Sequence, residues 1–201
     1  MKAVQAETEG GYVEWKETQR PQFARTLARH MIVVAVRAVG LSFADNLFLH
    51  GRYQVKKERP VVPGLEGAGV MTAAQRGVVF SEVGDLVGFG SLLTGACAEE
   101  VLFHEQECWK LPAGLSGAQM VEYSSLGVNF MTAHFAFTCR SQVQSWHGKI
   151  ILVLGAAGGV GLAGVQVANA LDATVIACAG TEAKRSLCVE HGASEAIDYT
   201  N

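Results

Sequence analysis

No segment of this sequence stays apolar for the ~20 consecutive residues that a membrane-spanning helix requires, because Gly, Gln, Asn or a charge interrupts every run. Charge is scarce too: Asp, Glu, Lys and Arg make up 17% of the chain and the formal net charge is −3. That leaves no basic footprint of the kind nucleic acid selects. No CxxC pair occurs, and the cysteines (Cys97, Cys108, Cys139, Cys178, Cys188) are odd in number, which favours free thiols over a disulfide framework. Cys97, His104 and Cys108 stand close in sequence, but their spacing fits no zinc pattern and no fourth ligand lies nearby. Neither GxSxG nor a P-loop is present. The segment Met1-Lys2-Ala3-Val4-Gln5 is followed at once by Glu7 and Glu9, unlike a signal or transit peptide, so a soluble cytoplasmic protein is expected.

What is present is apolar. Hydrophobic residues make up 49% of the 201, and mean hydropathy is +0.21. Such a chain can bury a core, and its length suits one or two domains. The grammar changes near Pro112. Before it, β-branched and glycine-punctuated runs at 31–39, 67–71, 77–80, 85–90 and 98–103 predict short strands of a compact barrel or sandwich. After it, Ser116 is a candidate cap for a helix over 117–123, and 126–137 reads as a second helix. From Lys149 onward, strands at 150–154, 174–179 and 195–199 alternate with helices at 159–171 and 181–191, the last stopped by Gly192. That alternation is a βαβαβ unit with a parallel sheet. The expected domains are 1–119 and 120–201.

The informative stretch is Ile150-Ile151-Leu152-Val153-Leu154-Gly155-Ala156-Ala157-Gly158-Gly159-Val160-Gly161. An apolar strand enters a glycine turn that opens a helix, where a pyrophosphate can approach free N–H groups and the positive end of the dipole. A literal GxGxxG at Gly159, Gly161 and Gly164 begins too far past the strand; the register through Ala156, Gly158 and Gly161 sits directly after it. Ala157, Gly158, Gly159, Val160 and Gly161 are therefore candidate dinucleotide contacts, against the alternative of a turn that only packs a helix. The second strand ends at Gly180 with no Asp or Glu to hold a ribose 2′-hydroxyl, and Lys184 and Arg185 follow. This favours a 2′-phosphate, hence NADP(H); the alternative is a solvated Glu182–Arg185 pair beside an exposed Lys184.

The turn 155–166 resembles that of zeta-crystallin-like quinone oxidoreductases, in the zinc-independent part of the medium-chain dehydrogenase/reductase superfamily. Val39-Gly40-Leu41-Ser42-Phe43-Ala44-Asp45, Gly51-Arg52-Tyr53, Pro63-Gly64-Leu65-Glu66-Gly67-Ala68-Gly69-Val70, Val83-Gly84-Asp85-Leu86-Val87, Gly95-Ala96-Cys97-Ala98-Glu99-Glu100 and Asn129-Phe130-Met131-Thr132-Ala133 resemble its other motifs in order. The resemblance implies an α/β protein: an N-terminal GroES-like β-barrel domain followed by a partial Rossmann (βαβαβ) parallel-sheet domain. It implies NADPH-dependent hydride transfer to a quinone or α,β-unsaturated carbonyl, and a homodimer in the intact family form. It places Asn129 and Thr132 beside the nicotinamide, and Gly180, Lys184 and Tyr199 around the 2′-phosphate. Ser42 and Tyr53 are the hydroxyls expected nearest the hydride path. Ser42 and Leu65 stand where zinc-dependent relatives carry Cys and His, so a metal-free reductase is expected. The family often has Asn in place of Ser42, and some members have Tyr in place of Leu47. Relatives that keep the fold without turnover, as lens crystallins or trafficking-associated proteins, give the alternative reading. One βαβαβ unit is half a dinucleotide fold; strand 150–154, apolar on both faces, suits the buried central strand of the whole fold, and here one of its edges is expected to be bare. A C-terminally truncated chain is therefore expected, or else a dimer that covers the bare strand edge.

Overall fold

The computed structural model describes residues 1–8, 10, 13–19, 29–56, 58–92 and 95–200. The chain divides into two compact units, Met1–Gly127 and Val128–Asn201.

In the first unit, β1 (Lys2–Gln5) pairs antiparallel with β2 (Glu14–Glu17). The β-branched run 31–39 becomes β3 (Met31–Gly40), the longest strand, because its side chains fit a pleated, largely buried surface. With β4 (Glu66–Ala74), β5 (Leu86–Gly90), β6 (Glu100–His104) and β7 (Cys108–Lys110) it forms an antiparallel sheet in the order β6-β3-β4-β5-β7. Ile32, Val34, Met71, Val87, Phe89 and Phe103 fill its core, and the Phe89 and Phe103 rings stack at 4.6 Å. Each such side chain contributes about 1.5–3 kcal/mol by leaving water. Trp109 on β7 lies in a slot cut by two glycines: a Cβ on Gly88 would overlap its indole nitrogen, and one on Gly127 would overlap its six-membered ring.

Two sequence expectations are corrected here. The run 77–80 is not a strand but a loop after β4: Gly77 turns with φ +103, and Val79 is 88% exposed. Conversely, a helix the sequence reading did not anticipate, α1 (Phe43–Leu49), follows β3, with Ser42 as its N-cap. The helix α2 (Gly117–Tyr123) starts at the Ser116 cap as expected, where Ser116 Oγ accepts from the Gln119 amide at 3.3 Å. It packs on β3 and β4 within the first unit, which runs to Gly127.

The second unit takes over within α3 (Gly127–Phe135), which passes into a π-helical turn, Ala136–Arg140. A parallel sheet in the order β10-β9-β8 follows from β8 (Ile150–Val153), β9 (Thr174–Cys178) and β10 (Glu195–Ile197). The crossovers are α4 (Gly159–Ala170) and α5 (Glu182–Glu190). Ile151, Val153, Val175 and Ala177 face Val165, Ala168 and Cys188 in one core. Trp146 closes that core, its ring edge-on to Phe137 and its Nε1 donating to the Phe137 carbonyl at 3.1 Å. One edge of β8 is bare, as expected of a single βαβαβ unit. Among the described residues β8 is an edge strand, with Ile150, Leu152 and Leu154 exposed by 72%, 55% and 74%. Its apolar second face has no covering layer there. None of the described helices is long and apolar enough to cross a membrane.

Candidate functional site

The turn between β8 and α4 is built by close backbone approach. Gly155 has φ +60, in the left-handed region that glycine adopts without a Cβ penalty. Its carbonyl accepts from the Gly158 amide at 2.9 Å, and the Ala156 amide donates to the Cys178 carbonyl at 3.1 Å, tying the turn to β9. Gly158 is the N-cap of α4, and its carbonyl accepts from Leu162 at 2.7 Å. A Cβ on Gly161 would overlap the Gly155 carbonyl oxygen and lie 2.9 Å from Ala156 Cα, so the helix can start this close to the turn only with glycine there. The N–H groups of the first turn of α4 have no intrahelical acceptor, and that turn holds no acid. It presents positive potential to an anion.

A cavity of about 560 Å³ opens beside this turn. Gly158, Gly159, Val160, Gly161 and Thr132 line it together with Phe137. The Thr132 hydroxyl donates to the Val128 carbonyl at 2.5 Å, so it is turned toward its own helix. Asn129 meets the turn directly, its amide within 2.8 to 3.0 Å of where a Gly159 Cβ would stand. Ala157 is half-buried against the core of this unit. Apart from Ala157, the cofactor residues expected on this turn and on α3 thus share one wall or its margin. Phe137, Leu152 and Leu154 join them without having been singled out in the sequence.

The remaining three, Gly180, Lys184 and Tyr199, gather at the C-terminal end of β9. Thr181 caps α5 and accepts from the Lys184 amide at 3.4 Å. The Tyr199 hydroxyl stands 3.1 Å from where a Gly180 Cβ would be. Among the described residues no carboxylate pairs with the Lys184 ammonium. Arg185 is different. Its guanidinium donates to Glu182 at 2.8 Å and Asp198 at 2.7 Å, so the Glu182–Arg185 pair and the exposed Lys184 of the sequence alternative are both present.

Ser42 and Tyr53 belong to the first unit. The Ser42 amide and hydroxyl both donate to Asp45 Oδ2, at 2.8 and 3.1 Å, and Asp45 Oδ1 accepts from the Gly64 amide at 2.8 Å. Asp45 is buried and knits α1 to the loop before β4. The Tyr53 ring lies on Phe48 at 4.3 Å. At the position of Leu65 the side chain is buried and carries no donor atom for a metal. Among the described residues no group of three or more His, Cys, Asp or Glu could hold a metal ion. Burial pushes the Cys97 thiol up to about 11 and the Cys108 thiol to about 12, with nearby carboxylates adding to each. Neither thiol is a nucleophile near neutral pH.

Residues 28–131 match the alcohol dehydrogenase GroES-like domain. The chain is 34% identical over 177 residues to the quinone oxidoreductase-like protein 2 of Rattus norvegicus, spanning 88% of this chain and 49% of that protein. It is 32% identical over 190 residues to the human synaptic vesicle membrane protein VAT-1 homolog, spanning 94% and 47%. The quinone oxidoreductase of Thermus thermophilus, solved also in complex with NADPH, superposes with a TM-score of 0.83 at 33% identity, covering 100% of this chain and 60% of that one. The chain therefore spans about half the length of the curated relatives it matches.

Proposed function

The chain belongs to the alcohol dehydrogenase GroES-like family of the medium-chain dehydrogenase/reductase superfamily, and from that premise we propose that it carries the adenosine-phosphate half of an NADP(H) site in a zinc-independent oxidoreductase. The observation that carries this reading is the pair formed by the glycine turn and the Lys184 ammonium, unpaired among the described residues, each at the C-terminal end of a parallel strand. Dinucleotides bind at such strand ends, and a cation in place of an acid after the second strand favours the 2′-phosphate.

The residues fit the cofactor. Glycine at 161 lets α4 begin against the Gly155 turn, and the first turn of α4 offers N–H donors to a pyrophosphate. Lys184 supplies a point charge for the 2′-phosphate, with the Tyr199 hydroxyl as a donor beside it. Asn129 and Thr132 flank the same cavity and would orient the nicotinamide. When bound, NADPH supplies a hydride, and the proposed acceptor is a quinone or an α,β-unsaturated carbonyl. Ser42 and Tyr53 are proposed as the hydroxyls on the acceptor side. Ser42 and Leu65 give no metal-ligating pair, so holding two reactants in register is the main work left to the protein. Such alignment is worth up to about 7–11 kcal/mol of barrier.

Titrating the chain with NADPH and NADH, read by cofactor fluorescence and thermal shift, tests the reading. NADPH is expected to bind more tightly, and Lys184→Met to abolish the difference. Equal affinities in the parent chain would overturn it. Likeness to the VAT-1 homolog, and the engagement of the Ser42 hydroxyl by Asp45, support a second reading: cofactor binding without turnover. NADPH oxidation with a soluble quinone separates the two.

A further inference from the structure

The sequence places two cations, Lys184 and Arg185, after β9, yet only one is available to a ligand. Arg185 sits on α5 with three acceptors in reach: Glu182 at 2.8 Å, Asp198 at 2.7 Å and the Ala179 carbonyl at 3.2 Å. Its side chain is 18% exposed, against 82% for Glu182 and 25% for Asp198. The link to Asp198 is the consequential one, because Asp198 opens the loop that carries Tyr199. Asp198 Oδ1 accepts from the Thr200 amide at 2.8 Å and hydroxyl at 2.6 Å, closing a tight turn around Tyr199. The other carboxylate oxygen is held by Arg185. Thr200 first, and Arg185 after it, keep this carboxyl below its ordinary range, so it stays ionised through neutral pH. Tyr199 itself is 65% exposed, and the Thr200 methyl group lies with it over Gly180. The phenol is thus placed by its turn, which the Arg185 guanidinium ties to α5 and the end of β9 through Asp198, beside the bond from the Ala179 amide to the Ile197 carbonyl at 3.1 Å.

We propose that Arg185 is a positioning residue, clamping the 198–200 loop so that Tyr199 stands over Gly180 as one wall of the 2′-phosphate subsite, and that it does not bind the phosphate itself. The proposal rests on the NADP(H) reading above. A fork of donors that already serves two carboxylates and a carbonyl gains little from a third anion, whereas cutting its bond to Asp198 loosens the turn that carries the phenol.

The test uses the 201-residue chain with two probes, adenosine 2′,5′-bisphosphate and 5′-AMP, and hydrogen exchange over residues 198–200. Arg185→Met is expected to speed exchange in that loop about tenfold while β9 and α5 stay protected. It is expected to weaken the bisphosphate about three- to tenfold, the worth of one hydrogen bond, and to leave 5′-AMP unchanged. Arg185→Lys, which retains a charged contact to Asp198, should recover part of the loss. In a Tyr199→Ala background Arg185→Met should cost nothing further, whereas Lys184→Met should still add its own loss. Asp198→Asn cuts the same clamp from the loop side and should reproduce the Arg185→Met pattern, so a fold defect in one variant is separable. Additive losses for Arg185 and Tyr199 would overturn the proposal in favour of direct phosphate binding, with the cofactor reading intact. Equal affinity of the parent chain for the two probes would overturn the cofactor reading and the proposal together.

Discussion

Replacing Gly161 and Gly164 by alanine applies one chemical change to two positions a turn apart on α4, and the structure requires opposite signs. At Gly164 the nearest atom to a new Cβ is Phe137 Cε2 at 4.0 Å, so the methyl group fits. Alanine is favoured over glycine in a helix by about 0.8–1 kcal/mol, and Gly164→Ala should stabilise the second unit by that amount. At Gly161 a Cβ overlaps the Gly155 carbonyl oxygen and comes within 2.9 and 3.0 Å of Ala156 Cα and C. All three are backbone atoms, which cannot move aside by changing rotamer. Overpacking costs about 1–3 kcal/mol, and rigid neighbours put this case at the upper end; the propensity gain offsets about 1, leaving a net loss of about 2. In a unit of this size 1 kcal/mol moves the midpoint by about 4–8 °C. Urea titration with hydrogen exchange over α4 and β8 assigns the change to this unit. Stabilisation by both substitutions would refute the close approach of α4 to the Gly155 turn, and with it the geometric case for a phosphate cradle.

Three further outcomes are expected. Asp45→Ala should destabilise the first unit by about 1–3 kcal/mol in urea, because it strands the Gly64 amide in a buried site; a neutral result would mean that water replaces the carboxylate. Asp85 is held at about 2 by Lys110 first, then by the Glu82 amide and Ser81 hydroxyl. A depressed carboxyl stabilises the fold above its unfolded pKa of 3.8 and loses that contribution as pH falls toward about 2. The stability gap between the parent and Asp85→Asn should therefore close across that window and be flat above it, as read by melting at stepped pH. Iodoacetamide at pH 8 should label Cys139, which is exposed, well before Cys97 and Cys108, whose burial keeps them protonated; equal labelling by mass spectrometry would contradict the burial.

The second unit was legible because its signals are local. A Thr181 cap, a Gly192 stop with φ +106 and an apolar strand entering a glycine turn each lie within a few residues of what they specify. The first unit was less so. The run 77–80 has the composition of a strand, but a strand needs a partner, and whether one is present is decided far away in sequence. The helix α1 is signalled in the sequence only by Ser42 and Asp45, a capping pair just after the β-branched run that ends at Val39. Strand β8 is apolar on both faces, which indicates what could cover it, not what does. Arg185 shows the same limit at the site. Its charge suggested a phosphate ligand, and only the fold brings Asp198 close enough to engage it.

The slot around Trp109 has a consequence for descent. Positions 88, 109 and 127 come from β5, β7 and the start of α3, yet they share one volume, and two of them hold nothing beyond a hydrogen so that the third can hold an indole. A side chain acquired at 88 or 127 while the indole is in place meets it at once. The same change after Trp109 has given way to a smaller residue meets open space. Substitutions at these three positions are therefore ordered in time, the tryptophan going first, and a lineage that keeps it keeps both glycines with it.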